Sequence, residues 1–96
     1  MASGRTAAAV EALGTGDFPE VLRLTEDVMS ATRPDHLALA TRASALKRLQ
    51  RPLEALEFNR RAAETYPDSP VAWHNLAATL DDLGEHEEAL TAIDRS

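Results

Sequence analysis

The chain contains no cysteine, so no disulfide can staple it and no thiol chemistry is open to it. Aromatic residues are scarce, with one Trp, one Tyr and two Phe, and the β-branched residues never alternate with polar ones over a useful length, which argues against strands. No run approaches the ~18 to 20 apolar residues that a membrane span needs. Positive charge is in deficit: 10 Lys and Arg against 16 Asp and Glu leave a net charge of -6 and a pI near 4.9. That balance argues against binding to nucleic acid or to an anionic membrane surface, both of which need a basic excess. A Gly-rich phosphate loop, a Gly-x-Ser-x-Gly elbow and a His-Glu-x-x-His helix are all missing, so neither an enzyme of its own nor a cofactor is expected. His36, His74 and His86 have no cysteine partners and no ligand spacing, which speaks against a metal site. Asp81 and Asp82 are adjacent in sequence, so on a helix they diverge and cannot face one substrate.

What the chain does have is alanine, 18 in 96 residues, a composition suited to close helix approach rather than to a large ligand cavity. A domain this small, without staples, depends on regular helix packing. The N-terminus carries Arg5, but Glu11 interrupts the apolar run that follows and Gly14 ends it, unlike a signal peptide; a cytoplasmic location is the expectation.

Helix breakers recur along the chain: Gly14 and Gly16 with Pro19, then Pro34, Pro52, Pro67 with Pro70, and Gly84. Between them the periodicity predicts six helices, at about 3–13, 18–31, 35–49, 52–65, 70–83 and 86–95. Ser69 before Pro70 reads as an N-cap with proline at the first helical position, and Asp17 with Glu20 reads as a capping box. The expected class is all-α.

A shift of 34 residues superimposes the chain on itself. Ala9, Ala43 and Ala77 align, as do Glu20, Glu54 and Glu88, and Leu22, Leu56 and Leu90. The second and third copies add Leu46 with Leu80 and Ala55 with Ala89, and the first and third share Gly16 and Gly84. The units run at about 2–35, 36–69 and 70–96 and form a single domain over 1–96. Trp73-x2-Leu76-Ala77-x2-Leu80, a turn at Gly84 and Ala89-x3-Ile93 form the third copy; Leu39-x2-Arg42-Ala43-x2-Leu46, Ala55-x3-Asn59 and Pro67 form the second. The first is the most degenerate and its closing Pro34 falls one residue late. Together they resemble the tetratricopeptide repeat family, whose pattern is Trp-x2-Leu-Gly-x2-Tyr, Ala-x3-Phe and Pro. Arg42 and Asn59 depart from apolar positions of that pattern. The small residues allow two antiparallel helices to cross closely, and Leu22, Leu56 and Leu90 are placed to meet the next unit.

The resemblance implies an α-solenoid of antiparallel helix-turn-helix hairpins wound as a right-handed superhelix. It also implies a protein–protein interaction module that binds a peptide or partner segment in a concave groove lined by the first helix of each unit. Helical spacing places Leu37, Thr41, Ser44 and Arg48 there, with Ala40 and Lys47 beside them; in the third copy the stripe is Val71, Asn75, Ala78 and Asp82, with His74 and Asp81. The first copy offers Ser3, Ala7, Val10 and Gly14. The plainer alternative is a solvated face with an ion pair between neighbouring units. Asn75 is the best single candidate, its amide able to donate to and accept from a peptide backbone, against a role as a cap or plain surface residue. Capture of a C-terminal carboxylate is not expected, because Thr6, Val10, Thr41, Val71 and Asn75 stand where that mode needs Lys, Asn and Arg. Arg42 either lays its aliphatic stem on the core with the guanidinium in water, the reading we favour, or reaches the groove edge as an anion contact. Trp73 is expected in the core. The acidic run Asp81, Asp82, Glu85, Glu87 and Glu88 is a solvated turn or a docking patch for a basic partner.

Two rival functions go with the ending. Ser96 stops 27 residues into the third unit, so Leu90 and Ile93 are expected to be partly uncovered. The chain is then either a regulatory or positioning segment of a larger multidomain enzyme or a module that self-associates through that end. Reading of RNA by helical repeats is disfavoured by the acid excess. That excess is uneven: residues 1–50 hold 6 basic and 6 acidic side chains, and 51–96 hold 4 and 10.

Overall fold

A computed structural model describes residues 4–95. Its regular elements are all helical: α1 (Gly4–Thr15), α2 (Phe18–Leu24), a short 3-10 turn (Glu26–Met29), α3 (His36–Arg48), α4 (Pro52–Thr65), α5 (Pro70–Asp82) and α6 (His86–Asp94). α1 with α2, α3 with α4, and α5 with α6 pack as hairpins, and each later hairpin packs on the one before it. The second helices begin at Phe18, Pro52 and His86, and α3 and α5 at His36 and Pro70, so the 34-residue register of the sequence is the register of the helices.

Local chemistry sets these starts. The carboxylate of Asp17 accepts from the Glu20 N–H, that of Asp35 from the Leu37 N–H, and the Ser69 hydroxyl from the Ala72 N–H. Each satisfies an N–H that a helix start leaves without a partner. The capping box is half made, because the Glu20 side chain reaches forward to Arg23 (2.9 Å) instead of back to Asp17. Between paired helices the chain turns at Gly16, Gln50 and Gly84, again 34 residues apart, with φ of 83°, 62° and 81°. A left-handed backbone costs a residue with a Cβ roughly 1–2 kcal/mol, which glycine avoids. Gln50→Gly is therefore expected to stabilise the fold by roughly 0.5–1 kcal/mol after the added freedom of the unfolded chain is counted. Thermal unfolding should show a Tm a few degrees higher; an unchanged or lower Tm would remove strain at Gln50 from the account.

The expected helix over 18–31 is corrected: it stops after Leu24. Thr25 is fully buried and turns its hydroxyl back to donate to the Val21 carbonyl (2.7 Å). Arginines from three other helices then take the carbonyls that a continued helix would use. Arg5 of α1 donates to Arg23 O (2.9 Å) and Leu24 O (3.2 Å), Arg42 of α3 to Leu22 O (2.8 Å), and Arg61 of α4 to Val28 O and Ala31 O (2.6 Å). Charge-assisted bonds of this kind outlast the neutral i to i−4 bonds they replace.

The core is built of small residues. Twelve of the nineteen buried apolar residues are alanine, so helices approach closely and the few large buried side chains, Leu39, Leu46, Leu80 and Val21 among them, fill the remaining space. Ala9, Ala12, Val21 and Ala45 join α1, α2 and α3, a larger cluster runs through α3 to α6, and Leu22 touches both. Ala77 is buried between α5 and its neighbours; Ala77→Phe should overpack the hairpin and lower stability by about 1–3 kcal/mol, read as a fall in the urea midpoint.

Candidate functional site

The groove expected along the first helices lies between α3 and α5. A small hollow of about 50 Å³ there is lined by Ala43, Ser44 and Lys47 from α3, Asn59 from α4, and Asn75, Ala78 and Thr79 from α5. The 34-residue register brings Ser44, Lys47, Asn75 and Ala78 to one place. Lys47 crosses the groove to Asp82 (Nζ to Oδ2, 2.8 Å), an ion pair between neighbouring hairpins. Leu37 and Val71 stand exposed at the first turns of α3 and α5 and do not line this hollow.

Other expected members sit elsewhere. Thr41 is buried, at 3% exposure, and its hydroxyl donates to the Leu37 carbonyl (2.7 Å), so it lines no surface. Arg48 leans toward the first hairpin, its guanidinium 5.9 Å from the centre of the Phe18 ring. Asp81 turns to His86 on α6, while Asp82 faces Lys47, which confirms that the two carboxylates diverge. His74 and Asp81 line a different hollow, between α5 and α6, which shares Ala78 with the first. Val10 and Ala7 are exposed on α1, Thr6 is buried, and Ser3 lies outside the described residues. Asp81, Asp82, Glu85, Glu87 and Glu88 are all exposed, although Glu88 pairs with Arg60 (2.5 Å). Trp73 is half-buried against the core; its Nε1–H donates to Pro67 O (2.7 Å) and Arg95 stacks over its ring.

The largest correction concerns Arg42. Its guanidinium is half-buried and turns inward rather than to the groove edge, donating from Nη1 to Leu22 O (2.8 Å) and Thr25 Oγ1 (3.1 Å) and lying over the Phe58 ring. Burial is the first cause that pushes its pKa below the usual arginine value, and the charge of Arg51 adds to it. Asn59 was marked by the sequence as a departure from an apolar position and given no role; it is 4% exposed and donates from Nδ2 to Thr79 Oγ1 (2.6 Å) under the groove floor. Both departures are thus polar locks at the junctions between hairpins. A polar residue at a position that the repeat pattern makes apolar was the signal available for both.

The hollow presents a neutral amide, a hydroxyl and one ion pair, groups that can hold a chain by hydrogen bonds. No helix among the described residues is long and apolar enough to cross a membrane. Compared with known families, residues 58–91 match the model described as tetratricopeptide repeat. The match opens in α4, takes in all of α5 and closes within α6, so it includes the Asn59–Thr79 junction and Asn75.

Proposed function

We propose that this chain, whose residues 58–91 match the tetratricopeptide-repeat model of a family of protein–protein interaction modules, binds a peptide or partner segment along α3 and α5. The observation that carries this reading is the convergence of Ser44, Asn75 and Ala78 on one hollow, on the two helices whose first turns expose Leu37 and Val71. The amide of Asn75 offers one donor and one acceptor, the complement of a single peptide unit of an extended chain, and the Ser44 hydroxyl adds a second anchor. Leu37 and Val71 then meet apolar side chains of the bound segment. The Lys47–Asp82 pair bounds the groove at its other end and sets register more than affinity, because half-exposed pairs contribute at most about 1 kcal/mol.

Peptides selected from a random library on the wild-type protein test this reading when titrated against Asn75→Ala and Ser44→Arg variants whose helicity is unchanged. Loss of the amide pairing should weaken binding by about tenfold, the equivalent of ~1.4 kcal/mol. Equal affinity for wild type and both variants would place the ligand elsewhere.

A further inference from the structure

Another hollow, of about 180 Å³, lies where α4, α5 and α6 meet. Its floor is made by the buried Leu76, Leu80 and Ala92 with the half-buried Trp73 beside them, and Arg60, Glu88, Thr91 and Arg95 stand around its mouth. The 34-residue register explains why the space is there. At the preceding junction, where α3 and α4 meet α2, the positions of Ala92 and Leu76 are held by Phe58 and Arg42. Phe58 is 5% exposed there, and the Arg42 guanidinium lies 5.0 Å from the centre of its ring. Alanine and leucine in the third hairpin remove both the phenyl ring and the group stacked on it. Trp73, in place of the smaller Leu39, leaves the gap open.

Charge at the mouth describes what completes it. Arg60 of α4 and Glu88 of α6 neutralise one another (2.5 Å). Arg95 stacks over the Trp73 ring, 5.2 Å from its centre, and no carboxylate among the described residues pairs with it. Stacking occupies the face of a guanidinium and leaves the N–H groups at its edge able to bind a carboxylate in a bidentate pair. The floor below suits a ring, since an apolar cavity of ~150 Å³ takes benzene.

From this geometry we infer that the hollow between α4, α5 and α6 binds a small aromatic carboxylate, its ring on Leu76, Leu80 and Ala92 and its carboxylate on Arg95. A ligand of the same shape with a neutral head loses the charge-assisted pair, and one with a cationic head meets a like charge. The hollow shares no residue with the one between α3 and α5, so either site can fail without the other.

Trp73 is the one tryptophan of the chain, so its fluorescence reports on this hollow. Titrating the whole chain with phenylacetate, phenylacetamide and benzylammonium should change the emission, with the acid binding about tenfold more tightly than the amide and the cation weakest. Amide shifts in the presence of the acid should cluster at Trp73, Leu76, Leu80 and Ala92. Arg95→Gln should bring the acid down to the affinity of the amide and leave that of the amide unchanged. Ala92→Phe, which restores the ring present at Phe58, should abolish binding of all three compounds. Thr91→Phe narrows the mouth from an exposed position and should do the same without touching the core; unchanged circular dichroism confirms the fold of each variant. Equal affinities of acid and amide for wild type, acid binding indifferent to Arg95→Gln, or no saturable change in emission would each overturn the inference.

Discussion

Leu46→Ala is expected to cost about 3–5 kcal/mol, the largest loss from any single truncation considered for this chain. Leu46 lies on α3, the helix that contacts both the first hairpin and α4, and only 1% of it reaches solvent. In a core made mostly of alanine few long side chains are free to swing into the space left behind, so much of the cavity stays open and its cost adds to the lost transfer energy. A domain of this length has a total stability of roughly 5–14 kcal/mol. Urea unfolding followed by circular dichroism should therefore show the midpoint falling by about a fifth or more. A loss below ~1.5 kcal/mol would mean that the helices close over the gap, and the close-packed account of the core would fail.

Arg42→Ala is expected to cost about 2–4 kcal/mol, although two effects oppose one another. Removing a guanidinium whose burial already lowers its pKa relieves a desolvation cost, and its Nε is buried without a hydrogen-bond partner. Against this, the Leu22 carbonyl at the end of α2 and the Thr25 hydroxyl lose a charged donor, each worth about 1.5–3 kcal/mol, and the ring of Phe58 loses the group stacked on it. Two donors lost outweigh one desolvation relieved. Arg42→Met, which keeps the aliphatic contact, should cost about half as much. Because arginine stays protonated throughout the ordinary range, the difference between wild type and Arg42→Ala should be the same at pH 6 and pH 8. Amide exchange across residues 20–31 should quicken in the variant more than elsewhere, since the lock joins α3 to the segment where α2 ends. A variant as stable as wild type would make Arg42 a surface arginine, as the sequence first suggested.

These two residues mark the boundary of what could be read without coordinates. Helix starts were legible, because Asp17, Asp35, Ser69 and the prolines act within one turn of chain, and the alanine columns named the helix crossings correctly. Half of the groove was legible for the same reason: Ser44, Asn75 and Ala78 follow from helical spacing and the 34-residue register alone. Gln50, aligned with two glycines, held a left-handed turn that could have been read from its column.

The sequence by itself thus determined the all-helical class, the register and the pairing of helices, since capping, propensity and periodicity are local and repeat from unit to unit. Only the tertiary structure decided where α2 ends, which polar side chains are buried and which face stays open. Arg5, Arg42 and Arg61 reach carbonyls 18 to 33 residues away, and Asn59 finds Thr79 at a distance of 20. Such partners are selected by three-dimensional proximity in a dry interior, where a donor without an acceptor is costly, and no local pattern encodes that selection.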